Sequence, residues 1–149
     1  MPVSNIAKVE RFFRASSGLD IDKSDVKRYE DFVNRKIGDL LIRAQAIAKA
    51  NDRDIIVPFD LPITKGLQES IQAFRDTDGD IGLEPVLDDF VARPRLDVAC
   101  SDEVDGVIGE IAGGLSIALA RSFKIIEPDL KNPQSEHWER SYRIFDLLV

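Results

Sequence analysis

Asp76, Asp78 and Asp80 stand at i, i+2 and i+4, the spacing with which a calcium-binding loop begins. Such a loop then needs glycine at its sixth position and a bidentate Glu at its twelfth. Ile81 and Leu87 occupy those places, so the run reads as an acidic turn rather than a cation site. His137 is the one histidine and Cys100 the one cysteine. A zinc ligand set or a disulfide framework cannot be assembled from them. A general base at His137 would need a nucleophile and an orienting group that nothing in the sequence places beside it, so the expectation is a surface histidine on the last helix. Cys100 precedes a long helix, whose N-terminus can lower a thiol pKa, but it has no visible resolving partner and reads as a structural or spectator cysteine. The run Gly109-Glu110-Ile111-Ala112-Gly113-Gly114 follows no strand, so it is not a dinucleotide fingerprint. These residues predict no catalytic centre, no metal, no cofactor and no small-molecule ligand.

Charge limits the partners further. The chain of 149 residues carries 20 Lys+Arg against 27 Asp+Glu, a net of −7. Binding that rests on phosphate neutralisation is poorly served by that balance. The charge is also uneven: residues 1–75 hold 13 basic and 11 acidic side chains, residues 76–149 hold 7 and 16. Any anionic partner should prefer the first half. The longest apolar run, Ile111 to Ala120, covers ten residues, about half of what a membrane span needs. No basic leader followed by an apolar run opens the chain. The expectation is a soluble cytoplasmic protein with a reduced thiol and no membrane partner.

The elements that must position these groups are helical. Val3, Ile6, Val9, Phe12 and Phe13 predict a short helix stopped by Ser16-Ser17-Gly18. From Val26 to Ala48 the apolar positions recur in threes and fours, predicting one helix from Ser24 to Asn51, far longer than the mean. Ile55-Ile56-Val57 is a β-branched strip ended by Pro58. Asp60 is expected to cap a third helix from Leu61 to about Arg75, with Pro62 in its first turn. The second half repeats the order: a short helix over Leu83–Ala92, a break at Arg93-Pro94-Arg95, a long helix capped by Ser101, and a last helix capped by Ser135. Ile125-Ile126-Glu127-Pro128 lies 70 positions after Ile55-Ile56-Val57-Pro58, and is expected to be the matching extended strip. A long helix with one broad apolar face needs a partner along its length. Two in one chain can serve each other, and Gly106, Gly109, Gly113 and Gly114 in the second suggest close approach.

In that order of elements the chain resembles the histone fold. Arg11-Phe12-Phe13-Arg14-Ala15 is similar to the first helix of archaeal histones, and Ala46–Ala50 with Arg53-Asp54-Ile55-Ile56-Val57-Pro58-Phe59-Asp60 to their second loop. Two such units on one chain resemble a family of bacterial single-chain histone-like proteins without assigned function. The resemblance implies an all-α intramolecular pseudodimer sharing one core. Its first unit is 1–75, then an acidic turn at 76–82, then a more degenerate unit over 83–149. It also implies that Arg53 and Asp60 form an internal clamp.

For nucleic acid the resemblance must be carried residue by residue. Arg11 and Arg14 match the first-helix arginines of DNA-wrapping relatives. After the clamp arginine those relatives carry a basic residue and a threonine, where this chain has Asp54 and Ile55. The short helix of the second half reads Asp88-Asp89-Phe90-Val91-Ala92, and Phe123 stands at the offset of Arg53, with Asp129 left to play the part of Asp60. The cations Lys8, Lys23, Lys27, Arg28, Arg35, Lys36 and Arg43 interleave with Glu10, Asp25, Glu30, Asp31 and Asp39, as on a solvated face. The expected function is non-catalytic, acting through protein or self association, with weak or no DNA binding. The alternative is a degenerate nucleoid-associated protein using Lys8, Arg11, Arg14, Lys27 and Arg28. The apolar end Ile144-Phe145-Asp146-Leu147-Leu148-Val149 could serve as an association face, but burial against the core is the stronger expectation.

Overall fold

The computed structural model describes residues 1–149. It is mostly helical, with six α-helices and two strands of two residues each. Helix α1 covers Val3–Ser17 and ends on Gly18 at φ 66°, a left-handed cap that only glycine adopts without strain. Helix α2, Lys23–Ala50, starts from a capping box in which Asp22 accepts from the amides of Ser24 and Asp25 while Asp25 accepts from that of Asp22. After β1 (Ile55–Ile56) a 3-10 turn spans Pro58–Asp60, and helix α3 runs Lys65–Asp78. The second half holds α4 (Glu84–Phe90), β2 (Ala99–Cys100), α5 (Asp102–Ile126) and α6 (Ser135–Leu148).

Several boundaries differ from those expected. Asp60 does not cap α3; Thr64 does, accepting from the Leu67 amide at 3.1 Å. Leu61 precedes Pro62, which drives it out of helical conformation (ψ 124°), so no helix can begin there. The acidic run is not a loop at its start, because α3 continues through Asp76, Thr77 and Asp78. The Asp78 carboxylate then accepts from the amides of Leu83 (2.7 Å) and Glu84 (3.0 Å), closing the turn into α4. Ile125-Ile126 is the last turn of α5 and not a strand. The reason lies in spacing: α5 starts 79 positions after α2, whereas α6 starts 70 after α3. One constant offset therefore cannot align both pairs.

The two halves interlock reciprocally. The strip after α2 pairs in parallel with the strip before α5, Ile55 opposite Ala99 and Ile56 opposite Cys100. At the other end the segment before α2 meets the segment after α5, where the Asp20 amide donates to the Lys131 carbonyl at 2.6 Å. The third helices reach across as well, α3 onto α5, and α6 onto α2 while it also stays against α5 of its own half. Ile71 and Phe74 of α3 lie directly on α5 at Gly114 and Gly113. Helix α6 lies on α2, with Phe32 stacked on Tyr142 (5.4 Å between centroids) and edge-on to Phe145 (4.9 Å). The long helices meet where the Tyr29 and Ser116 hydroxyls bond at 2.7 Å, both fully buried. A single contiguous cluster of buried apolar side chains draws on both halves. The close approach expected of the two long helices at these glycines is not what forms: Gly113 and Gly114 receive α3, Gly109 receives Glu84 of α4, and Gly106 faces open space. Helix α5 is long and apolar enough to cross a membrane, and most of that stretch is covered by the other helices.

Candidate interaction surfaces

Arg53 and Asp60 form a two-point ion pair: Nη1 reaches Oδ2 at 2.5 Å and Nη2 reaches Oδ1 at 2.6 Å. The strip ending at Val57 and the turn at Pro58 bring the carboxylate back under the guanidinium, and the Val57 amide donates to it at 2.9 Å. Asp60 is 1% exposed while Arg53 stays a third open to solvent. The guanidinium holds the Asp60 carboxyl below the usual carboxylate range despite its burial. No second pair forms at the expected place. Phe123 is buried edge-on against Trp138, 4.9 Å between centroids, and Asp129 is exposed.

The second half closes its loop with His137 instead. This residue is 4% exposed, against the expectation of a surface histidine. Its Nδ1 accepts from the Gln134 amide at 2.9 Å, which requires a lone pair there and so places the ring proton on Nε2. Nε2 faces Glu127 Oε1 at 3.4 Å. The imidazole caps α6, a role that reading it as the outer side of an amphipathic helix could not reveal.

The cations proposed to contact nucleic acid are largely engaged. Arg14 pairs with Asp20 at 3.1 Å and Lys27 with Asp31 at 2.7 Å. Arg28 meets Asp25 at 3.4 Å and donates to Ser135 Oγ of α6 at 2.8 Å, so it ties the halves together. Lys8 is half-buried beside the Gly82 turn, and Arg11 alone of the five is exposed without an ion pair. Lys36, expected on the solvated face, is 1% exposed. Its ammonium reaches Asp146 at 2.7 Å and Asp39 at 3.4 Å, and Arg35 shares Asp146 at 3.1 Å. Lys36 lies on the side of α2 that α6 covers, which only the tertiary arrangement discloses. These two cations hold the Asp146 carboxyl below its ordinary range, that of Lys36 first.

Cys100 sits half-buried in β2, where desolvation pushes its thiol up, against nucleophilic reactivity. Burial also pushes up the Tyr29 and Tyr142 hydroxyls. Tyr142 donates to the Arg28 carbonyl.

The outer surface carries large apolar side chains. Phe59 is 97% exposed, Ile125 80%, Leu147 84% and Leu148 75%. Only Phe145 of the apolar chain end is buried, so the expected burial of that segment is not what forms. The sequence carried a signal for this. His137, Trp138, Ser141 and Phe145 make up the inward stripe of α6, and Ile144, Leu147 and Leu148 fall off it. Between the end of α5 and α6, Ile144 and Leu147 border an open groove of about 500 Å³, lined also by Ile126, Arg140 and Arg143.

Residues 9–146 match the family described as a domain of unknown function, DUF1931. An uncharacterized protein of Aquifex aeolicus (strain VF5) is 27% identical over 139 residues, 93% of this chain and 81% of its own. A second from the same organism is 28% identical over 141 residues, covering 88% and 83%. A crystal structure from Thermus thermophilus superposes with TM-score 0.86 at 49% identity, covering 97% of both chains. One from Aquifex aeolicus gives TM-score 0.85 at 26% identity, covering 97% and 95%.

Proposed function

We propose that this chain, which belongs to the family described as a domain of unknown function (DUF1931), is a histone-fold pseudodimer that works by association and not by catalysis. The observation that carries the fold reading is the reciprocal pairing of loops. The segment after each long helix meets the segment before the other. Two short–long–medium helical units, 1–75 and 83–149, then supply each other's partner, the arrangement that separate histone chains reach by dimerising. The clamp between Arg53 and Asp60 fits the same reading.

Association is supported by the outward apolar side chains at Phe59, Ile125, Leu147 and Leu148. Apolar side chains mark contact sites where they gather, as Ile126, Ile144 and Leu147 do in the groove between α5 and α6. Duplex DNA is a poor candidate for the partner. Arg14, Lys27 and Arg28 spend their charge on neighbouring carboxylates, and a positive track has to be free to displace counterions.

Two measurements on the full chain test this. A gel-shift series with duplex DNA in about 150 mM salt should show no retarded band; a clear low-micromolar complex overturns the reading. Capture of a protein partner, or of a second copy, by the immobilised chain should be lost in the double variant Leu147→Asp, Leu148→Asp. An unchanged set of captured proteins refutes association through this end.

A further inference from the structure

We infer that the groove between the end of α5 and α6 is a docking site for an acidic amphipathic helix of another protein. This rests on the association reading above and names the partner's chemistry. Ile126, Ile144 and Leu147 give the groove an apolar lining, and Arg140 and Arg143 stand at its edge. The walls are fixed. The hydroxyls of Ser122 in α5 and Ser141 in α6 are hydrogen-bonded at 2.9 Å, and Phe123 lies against Trp138 one turn from the groove.

Both guanidiniums are exposed, and neither forms an ion pair. Of the acids nearby, Asp146 is held by Lys36 and Arg35 and Glu127 faces His137, while Glu136 and Glu139, one turn before Arg140 and Arg143 on α6, are exposed and bridge to neither. Two unneutralised arginines stand out in a half with 7 basic against 16 acidic side chains. An apolar trough edged by such arginines complements a ligand with an apolar stripe flanked by carboxylates. From Arg140 to Leu147 is about 10 Å along α6, the span of a helical ligand's i, i+3/i+4 and i+7 anchors. A second copy is disfavoured, because a two-fold contact through this patch sets four guanidiniums against one another. An anionic bilayer is disfavoured by the net charge of −7 and by the concave shape.

The test uses the full chain and a fluorescently labelled amphipathic peptide with leucines at i, i+3, i+4 and i+7 and glutamates elsewhere. Its control replaces every glutamate by lysine. Anisotropy should show the acidic peptide binding at least about tenfold more tightly, a preference that shrinks as salt rises. The double variant Arg140→Glu, Arg143→Glu should reverse the preference and melt like the parent. Equal binding of the two peptides, binding of neither, or an unchanged preference in the variant overturns the proposal. So does light scattering that shows a second copy seated on this face, or sedimentation with anionic vesicles that outcompetes the peptide. If the peptides fail but Leu147→Asp, Leu148→Asp still abolishes partner capture, the groove assignment falls and association stands. If capture is also unaffected, both fall.

Discussion

A methyl group added at Gly114 should weaken the packing of α3 on α5, whereas one added at Gly106 should strengthen the protein. A Cβ on Gly114 falls 2.5 Å from Ile71 Cγ1, 3.0 Å from Ile71 N and 3.1 Å from Ile71 Cα. A rotamer change could relieve the first contact but not the other two, which belong to the α3 backbone. To restore ordinary contact, α3 has to retreat from α5 by about half an ångström along a dry, close-packed crossing. Overpacking of that kind costs about 1–3 kcal/mol. Replacing a helical glycine by alanine returns about 0.5–1 kcal/mol. The net loss for Gly114→Ala is therefore about 1–2 kcal/mol, a fall in midpoint of about 3–8 °C for a domain of this size. Gly106 lies in the same helix, is exposed, and has nothing within 4 Å of its virtual Cβ. Gly106→Ala keeps only the helix gain and should raise the midpoint by about 1–3 °C. Differential scanning fluorimetry of the two variants beside the parent reads both signs. A Gly114→Ala protein that melts at or above the parent would refute the exchange of α3 onto α5.

Two further perturbations address the clamp and the crossing of the long helices. Asp60→Ala removes the acceptor for both Arg53 nitrogens and for the Val57 amide, and should lower the midpoint by about 4 °C or more; an unchanged midpoint would show that the pair contributes nothing. The chain has two tyrosines, and burial pushes both hydroxyls up. Above an unfolded-state pKa of about 10 the unfolded chain releases protons that the native one keeps, so stability falls as pH rises, by about 1.4 kcal/mol per pH unit for Tyr29 alone. Absorbance of tyrosinate should therefore stay flat through the ordinary tyrosine range and then rise together with loss of helical circular dichroism. Smooth ionisation near pH 10 with the helices intact would contradict the buried Tyr29–Ser116 bond.

Local chemistry decided what could be read in advance. The helices followed from apolar period, their ends from Gly18 and Ser101, and the Arg53–Asp60 contact from a seven-residue spacing together with the histone resemblance. What stayed hidden depends on which element faces which. Lys36 looks like any surface lysine until α6 covers it and supplies Asp146. His137 looks external until the loop after α5 folds back to place the Gln134 amide on its Nδ1. The Ile125-Ile126 strip matched Ile55-Ile56 in composition, yet α5 carries through it, because the second half spends its extended residues before the long helix rather than after it. The groove at Arg140 and Arg143 has the same origin. Helix periodicity separates the apolar stripe that α6 buries from Ile144 and Leu147, which it exposes, but Ile126 joins them only because α5 ends alongside.

Calorimetry on the intact chain weighs the central claim most directly, since one buried cluster draws on both halves and the loops pair across them. One transition of about 100 kcal/mol near 60 °C is expected for a chain of this length, with calorimetric and van't Hoff enthalpies equal and a midpoint independent of protein concentration. Two separable transitions, each with roughly half that enthalpy, would mean that the halves fold independently and would contradict the account.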